Sequence, residues 1–348
     1  MAHDPKREDY QRLSLRFAQG LDGADPGVAM RAFASFGQRF AQDRDSLPQS
    51  DADRAFHLVA LATEVVDYRL PFATDEQAPE LIQRGRDLLD EALSLDPTCY
   101  DALRMRSSSE APSVEARYRV LADRADEVRA YCEAARDEAA SSLEGERAML
   151  AANIAMRPYW RWLASLAEEA LICGRNTVAA EVAERLLESD PTDSCDVRFT
   201  LAYALAKLED ETGLARLGER YATISPQRPA NDAWMLLARA ALAHKRCDLL
   251  AARDLLAKLL EAYPTGAGAL VRQVELPDGE FSRLRVSPYS EDELILAVSE
   301  GIVLLQEGSD RSGRGVLGSW VAGTVASLRP EAAAEAMRDR GSEGAQKS

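Results

Sequence analysis

Three consecutive segments of this chain repeat one pattern, and the repetition constrains the fold more than any other feature. Each segment reads as an apolar helix, a short turn, a second amphipathic helix and a proline, at Pro191, Pro226 and Pro264. These prolines lie 35 and 38 residues apart. Because proline cannot donate the next helical hydrogen bond and disfavours helical geometry in the preceding residue, each one marks a helix end. A fourth unit ends at Pro97.

A period near 34 residues with helix–turn–helix units is typical of tetratricopeptide repeats. In the first segment Gly174 falls at the turn, and the small residues Ala167 and Ala179 would let the two helices approach closely. Aromatic residues make up only 6% of the chain and alanine is abundant, which favours helix almost throughout. The sequence therefore predicts an all-α fold, a right-handed helical solenoid of tetratricopeptide-like repeats.

The pattern also predicts six parts along the chain. They are an N-terminal helical cap (1–50), a first repeat-like unit and connector (51–112), a long helix (113–155), three repeats (156–265), a C-terminal helical cap (266–328) and a flexible tail (329–348). Within the C-terminal cap, Ser290 and Glu293 form a capping-box pattern, which predicts a helix through about Leu305.

The long helix carries an apolar heptad seam, in which Val114, Leu121 and Val128 recur every seven residues. Two interpretations follow. The seam packs inside its own chain, or it pairs with a second copy and makes the protein a structural, homo-oligomeric subunit. The many alanines favour the first interpretation, because an exposed dimer seam would need more leucine and isoleucine.

The charge and cysteine content exclude several classes of partner and compartment. The chain carries 58 acidic and 42 basic residues, a net charge of −16 that opposes binding to nucleic acid and to anionic membranes. No apolar run approaches the roughly 18 residues of a membrane span. The five cysteines include no C-x-x-C pair, and the N-terminus lacks an apolar signal region. These features predict reduced thiols and a cytoplasmic protein.

The motifs typical of catalysis or of cofactor binding lack the context they require. The three histidines, His3, His57 and His244, have no second ligand at metal spacing. The stretch from Gly313 to Gly318 matches G-x-G-x-x-G, but a dinucleotide site needs a preceding strand, and a helix end and polar turn stand there instead. We therefore expect no catalytic residue, cofactor or metal; an enzyme subunit with a site hidden between helices is the least favoured alternative.

The stretch MRPYWRW is dense in aromatic and cationic side chains. Pro158 suits the first turn of a helix, so we expect a helix to begin there. Its aromatic residues, including Tyr159, either wedge against the preceding long helix as a joint or contact a partner directly. In the first case Arg157 and Arg161 would pair with carboxylates on that long helix.

In a tetratricopeptide array, defined positions on the first helix of each unit line a concave groove. Aligned on the prolines, these positions carry cations and aromatic residues, the types that anchor interfaces and pair with carboxylates. The predicted partner-binding residues are Arg161, Phe199, Tyr203, Lys207, Trp234 and Lys245. The expected ligand is a protein or peptide with acidic and apolar side chains. Burial of these aromatic residues against the next helix is the alternative.

Two stretches carry a resemblance to a known family. The chain reads A-M-R-P-Y-W-R-W at 155–162 and S-D-P-T-D-S-C-D-V-R at 189–198. It thus resembles a bacterial family of tetratricopeptide proteins, related to the human suppression-of-tumorigenicity family, whose motifs are E-T-R-P-Y-M-R-A-R and L-N-P-N-D-N-Q-G-V-R. An L-P-x-G stretch at 276–279 follows the last repeat, as in that family. The resemblance implies an all-helical fold without catalytic activity and a structural role for Arg157 and Arg198.

Together these features predict a non-catalytic scaffold or adaptor that binds a protein or peptide partner in the concave groove of its repeats.

Overall fold

The regular elements of this protein are helical throughout the part of the chain described by the computed structural model. That part comprises residues 4–225, 230–276, 286–309 and 313–335. The all-α prediction is confirmed for these ranges. None of their helices is long and apolar enough to cross a membrane. His3, Pro226 and residues 277–279 of the L-P-x-G stretch lie outside the described ranges.

The chain divides into two compact units, His3–Ser165 and Leu166–Ser348, and the division falls inside one helix, α7. A π-helical segment, Glu64–Arg69, continues the third helix of the first unit. The helices of this unit are α1 Pro5–Gln19, α2 Pro26–Gln42, α3 Asp51–Thr63, α4 Ala78–Leu95, α5 Tyr100–Glu110, α6 Val114–Ser142 and α7 Gly145–Ile172.

Short polar side chains begin several of these helices. Asp4, Asp25, Ser50 and Ser113 each accept a hydrogen bond from an N–H of the following first turn, which satisfies donors that have no helical partner. The main core of the unit lies between α3, α4 and α5. Its buried members include Val59 and Ala62 on α3 and Leu88, Leu89 and Ala92 on α4, where the spacing of three or four residues places them on one face of each amphipathic helix.

The region expected to be one long helix is two helices. A break follows Ser142, and α7 begins at Gly145, whose φ of 59° lies in the left-handed region that glycine adopts without steric cost. Pro158 lies inside α7 and not in its first turn. Sequence reasoning missed this because a proline inside a helix loses one hydrogen bond, a cost that only surrounding tertiary contacts offset.

The heptad seam of α6 is buried within its own chain. Leu121, Ala125, Val128 and Cys132 are all buried, and Val114 at its N-terminal end is half-buried. The side chains that could have paired with a second copy are therefore already packed in the N-terminal unit. This arrangement agrees with the first of the two interpretations of the seam.

In the second unit, α8 packs against α9 and α11 packs against α12. Tight turns join α7 to α8, α9 to α10 and α11 to α12. Residues 330–335, expected to lie in a flexible tail, are helical as well. The helices that follow α7 are α8 Asn176–Ser189, α9 Val197–Lys207, α10 Glu211–Ile224, α11 Ala233–Lys245, α12 Leu249–Ala262, α13 Ala267–Arg272, α14 Glu291–Glu300, α15 Ile302–Leu305 and α16 Val316–Leu328.

The three turns within the helix pairs are built in the same way. Each contains one residue in the left-handed conformation, Gly174 (φ 73°), Glu209 (φ 57°) or Cys247 (φ 62°). The next N–H donates to the carbonyl five residues earlier, from Arg175 to Ala170 (2.8 Å), from Asp210 to Leu205 (3.0 Å) and from Asp248 to Ala243 (2.9 Å). This bond closes the preceding helix in a Schellman turn. The turns are 35 and 38 residues apart, as are the three prolines.

A second local structure recurs where a helix of either unit ends at an Asp-Pro-Thr sequence. Asp96 accepts hydrogen bonds from the N–H and the hydroxyl of Thr98 at 2.9 and 2.7 Å. Asp190 accepts the same two bonds from Thr192 at 3.2 and 2.6 Å. These Asx turns stop the helix at the proline and set the direction of the next one.

The glycine stretch from Gly313 to Gly318 follows α15 and extends into the first turn of α16. A Cβ atom at Gly318 would stand 2.4 Å from the carbonyl oxygen of Leu305, so this glycine lets the two helices come close together. A helix precedes the stretch, as expected, and the glycines serve packing between helices.

Candidate functional site

Arg161, the first of the predicted partner-binding residues, is buried in the N-terminal unit. Its guanidinium donates two hydrogen bonds to Asp101, each 2.6 Å long, and two to Glu8, at 2.9 and 3.4 Å. Burial opposes the charge of Arg161, but Asp101 and Glu8 hold its pKa above the ordinary value. Burial likewise opposes ionisation of Asp101, and Arg161 holds the pKa of that carboxyl below its usual range. Arg161 is thus the centre of an internal ion network.

The aromatic cluster around Pro158 is a joint inside the N-terminal unit. Tyr159, Trp160 and Trp162 are all buried, and the indole N–H of Trp162 donates to the carbonyl oxygen of Leu121 on α6 at 2.8 Å. The expected wedge against the long helix is therefore present. The arginines do not pair with that helix, however: the carboxylates beside Arg161 come from α1 and α5, and Arg157 also approaches Glu8 of α1.

The other five predicted residues come together on the inner faces of α9 and α11. Phe199 and Trp234 stack with their ring centroids 3.9 Å apart, and both are buried. The hydroxyl of Tyr203 donates to the carbonyl oxygen of Ala297 in α14 at 2.6 Å. The indole N–H of Trp234 donates to Glu300 at 2.8 Å. The alignment on the prolines therefore selected one face correctly, but its expectation that the aromatic residues are exposed is wrong.

The two lysines of the set complete the contact with the same C-terminal segment. Lys207 donates to the carbonyl oxygen of Val303 at 3.1 Å and to Glu307 at 2.9 Å, and Lys245 lies 3.1 Å from Glu307. Burial opposes ionisation of Glu307, and its hydrogen bonds from the two lysines lower its pKa. The predicted ligand chemistry, acidic and apolar, is thus present in the chain itself.

Sequence reasoning predicted a helix from Ser290 through about Leu305 but not that this segment covers the face of α9 and α11, although its pattern carried a signal. Glu293, Glu300 and Glu307 recur every seven residues, the spacing that places side chains on one helical face. Each meets a polar group, since Glu293 accepts from the hydroxyl of Tyr263 at 2.7 Å. The residues between them are apolar on nearly every side, the pattern of a buried helix.

The depth of burial decides whether a partner can displace this segment. Six large apolar side chains of α14 and α15 are buried: Leu294, Leu296, Val298, Ile302, Leu304 and Leu305. At about 1.5–3 kcal/mol for each buried side chain, their exposure would cost roughly 9–18 kcal/mol. A nanomolar complex provides about 12 kcal/mol in total, so displacing the segment would consume most or all of the free energy of such a complex. The inner face of α9 and α11 is therefore part of the core and is not an open groove.

A histidine–carboxylate contact in the N-terminal unit also escaped sequence reasoning. The Nδ1 atom of His57 lies 2.8 Å from a carboxylate oxygen of Asp9. The guanidinium of Arg44 donates two hydrogen bonds to the same carboxylate, at 2.6 and 2.7 Å. Burial opposes ionisation of Asp9, and the hydrogen bonds from His57 and Arg44 lower its pKa. A carboxylate paired in this bidentate way is typical of a structural ion pair. His244 contacts the ring of Trp320, and burial lowers its pKa.

Three large apolar side chains of α2 are exposed to solvent. This helix has 17 residues and buries only Phe36 completely, whereas Met30, Val28 and Phe33 are 75%, 47% and 42% exposed. By contrast, every residue of α9 except Lys207 is buried. The partial packing of α2 leaves an apolar surface on the N-terminal unit.

The comparisons with known proteins assign no family to the chain. No protein-family model matches it, and no curated protein sequence matches it significantly. Among the described residues, no group of three or more His, Cys, Asp or Glu side chains is arranged to hold a metal ion. Contacts, burial and charge in the described part of the chain are therefore the basis for assigning a function.

Proposed function

We propose that this protein is a non-catalytic scaffold of tetratricopeptide-like repeats that binds a protein partner through its N-terminal unit. In this proposal the helix pairs stack as a right-handed solenoid in the cytoplasm. The recurring Schellman turns and proline-terminated helices support the repeat assignment. The five cysteines, all within the described ranges, form no disulfide bond, in agreement with a reducing compartment.

The exposed apolar face of α2 is the observation that carries the proposal. Soluble proteins seldom leave large apolar side chains clustered at the surface unless a partner covers them. Met30 and Phe33 stand at i and i+3, so their side chains form a ridge on one side of the helix. A partner that covers this ridge would remove apolar surface from water without breaking any contact inside the chain.

This proposal moves the binding surface away from the predicted residues Phe199, Tyr203, Lys207, Trp234 and Lys245. Those side chains hold α14 and α15, and releasing them would consume most or all of the free energy of a nanomolar complex. Dimerisation through the seam of α6 is also disfavoured, because that seam is already buried.

The test is affinity capture from a lysate of the source cells with three forms of the protein: wild type, Met30→Glu and Leu250→Glu. Leu250 is the matched control, because it is 79% exposed on α12 in the other unit and the substitution introduces the same charge. We expect one protein to be retained by wild type and by Leu250→Glu at similar levels, and to fall at least about tenfold with Met30→Glu, the change expected for an interface anchor worth more than about 1.4 kcal/mol.

Retention of the same proteins by all three forms, at equal levels, would refute the assignment of the surface to α2. Recovery of this chain alone, with dimers in solution that persist in Met30→Glu, would refute the scaffold and favour a homo-oligomeric subunit.

A further inference from the structure

The first two helices have an apolar core of their own. Residues 4–47, which we call the N-terminal hairpin, contain a cluster distinct from the main core between α3, α4 and α5. Four of the eight phenylalanines of the chain lie in this hairpin, and the rings of Phe17 and Phe36 are 5.0 Å apart. The hairpin therefore buries apolar surface within itself. The members of its cluster are Leu13, Phe17, Phe36, Phe40 and Leu47.

Charged side chains join the hairpin to α3 and to the π-helical segment that continues it. The charges of α1 alternate in sign along the contact, and each meets a partner of opposite or titratable charge. Because Asp53 precedes His57 by one helical turn, a shift of α1 by one turn would bring Asp9 beside Asp53, and two negative charges would then oppose each other. The charge pattern thus specifies one docked position. The three pairs are Lys6 with Glu64, Asp9 with His57 and Arg16 with Asp53.

The contact of the hairpin with α7 is also ionic, but here the hairpin provides the carboxylates. Glu8 accepts hydrogen bonds from Arg161 at 2.9 and 3.4 Å and lies 3.4 Å from Arg157. Asp22, which follows α1, pairs with Arg147 at 2.8 Å. An interface with so many complementary charges resembles a contact between separately folded domains more than the interior of one domain.

Such a contact can open at a moderate cost. A substitution strands one charge of a buried pair in the interior, whereas undocking lets water reach Glu8 and Arg161 at once, so hydration offsets much of the lost attraction. The exposed pair of Lys6 contributes little. Opening also exposes the ring of Phe56, which Arg12 covers at 4.1 Å. Release of α14 and α15, by contrast, would expose six large apolar side chains.

The connection between the hairpin and α3 permits this movement. Residues 48 and 49 have no regular structure. The capping box that begins α3 is formed by Ser50 and Asp53, two residues of the same turn. Rotation about residues 48 and 49 therefore leaves the start of α3 intact.

We propose that the N-terminal hairpin is a lid that undocks as one folded unit and uncovers the ion network of Asp101 and Arg161. Opening is a local event that precedes unfolding of the rest of the chain, because it breaks a charged interface and leaves both apolar clusters intact. In the open state Arg157 and Arg161, which Glu8 occupies in the docked state, are accessible from solution. This inference goes beyond the proposed function and does not depend on a partner at α2.

Carboxyl labelling of the full-length protein measures the opening. A carbodiimide couples glycine ethyl ester to accessible carboxylates, and mass spectrometry reads each site. Glu8 is 1% exposed, so it reacts when the hairpin leaves, whereas Asp232 in the other unit, at 0% exposed, reports global unfolding. Hydrogen exchange of the α1 amides shows whether that helix itself unfolds. Each rate is divided by the rate of the same group in the urea-unfolded protein, which gives the fraction of open molecules.

Two variants test the role of the charges. Lys6→Glu/Asp22→Lys reverses two charges of the hairpin, so that each opposes a like charge on the other side. The matched control adds Glu64→Lys/Arg147→Glu, which restores both pairs with their signs exchanged. We expect the open fraction read at Glu8 to rise at least about fivefold in the double variant and to return to within about twofold of wild type in the control. Labelling of Asp232 should stay unchanged in both.

In wild type we expect the open fraction at Glu8 to exceed that of Asp232 and of the α1 amides at least about tenfold. Equal fractions at Glu8 and Asp232 would mean that the hairpin leaves only when the whole chain unfolds, which would overturn the proposal. Equal fractions at Glu8 and the α1 amides would overturn it as well, because α1 would then unfold instead of undocking. A double variant that opens no more than wild type, or a control that does not recover, would refute the ionic latch.

Discussion

Replacement of Arg161 by methionine would test whether this residue belongs to the core of the N-terminal unit. Methionine keeps much of the length and the apolar character of the arginine stem but removes the guanidinium. Asp101 and Glu8 would then lose four hydrogen bonds between them in an interior where both side chains are almost completely buried. The variant therefore removes one partner of a buried ion network and leaves the carboxylates behind.

The size of the effect follows from this geometry. Glu8 keeps its ion pair with Arg12 at 2.8 Å, so Asp101 is the carboxylate that loses its partner. Removal of one member of a buried ion pair costs about 3–5 kcal/mol, because the remaining charge stays out of water without compensation. For a unit of this size, each kcal/mol lowers the melting temperature by about 2–4 °C, which predicts a fall of roughly 6–20 °C. Such a loss is a large part of the roughly 5–15 kcal/mol that stabilises an ordinary domain.

The assay combines urea unfolding with hydrogen exchange read by mass spectrometry, since exchange reports the N-terminal unit separately. Arg106→Met is the matched control. Arg106 also faces two carboxylates, Asp90 at 2.7 Å and Glu110 at 2.8 Å, but both acids are more than half exposed. Water screens such pairs, so the control should lose at most about 1 kcal/mol.

A loss below about 1 kcal/mol in Arg161→Met, equal to that of the control, would refute this reasoning. It would mean that water reaches the network and that Arg161 is available to a ligand, as the sequence alignment on the prolines had predicted. Faster exchange in α1 and α5 without a change in the C-terminal unit is the result expected from the structure.

Two further predictions concern the packing of α14 and the behaviour of the N-terminal unit in acid. A Cβ at Gly301 would stand 2.9 Å from both the Ala297 carbonyl oxygen and the Leu237 side chain, so Gly301→Ala should cost about 1–3 kcal/mol in urea unfolding. A Cβ at Gly323 would have nothing within 4 Å, so the control Gly323→Ala should be neutral or stabilising. Equal effects of the two substitutions would contradict the close approach of α14. The partners of Asp9 and Asp101 outweigh burial and lower the pKa of both carboxyls, so the unfolded state takes up protons first as the pH falls. The N-terminal unit should therefore lose stability progressively below about pH 5. In urea unfolding from pH 6 to 2, Asp101→Asn should flatten this dependence, and an unchanged slope would argue against the reasoning.

The helices and their turns were largely predictable because their determinants are local. Proline at 191 and 264, glycine at 174 and the capping serine at 290 each act on the backbone within a few residues, and the structure has a helix end, a turn or a helix start at each. The same local reasoning was wrong about Pro158. A proline inside a helix is stable only when packing around it offsets the missing hydrogen bond, and that packing involves residues far away in the sequence.

Local patterns predicted which side chains share one helical face, but not which residues contact that face. The alignment selected Phe199, Tyr203 and Trp234, and all three do share one face with Lys207 and Lys245. The polar contacts of Tyr203, Trp234 and the two lysines come from residues 62 to 100 positions later in the chain, such as Ala297 for Tyr203 and Glu300 for Trp234. A helical face rich in aromatic and cationic residues has the same composition whether the helix that covers it belongs to another protein or to the same chain.

The sequence by itself determined that this protein is helical, where its repeats turn and which faces of its helices must be covered, since hydrogen bonding, capping and helical periodicity act over one or two turns. Only the tertiary structure decided what covers each face. It placed α14 and α15 on the predicted groove, enclosed Arg161 between Asp101 and Glu8, and left Met30 in solvent. The physical reason is that the hydrophobic effect is non-directional: burying an apolar face stabilises the fold equally against any complementary surface. The path of the chain alone therefore decides which surface covers the face.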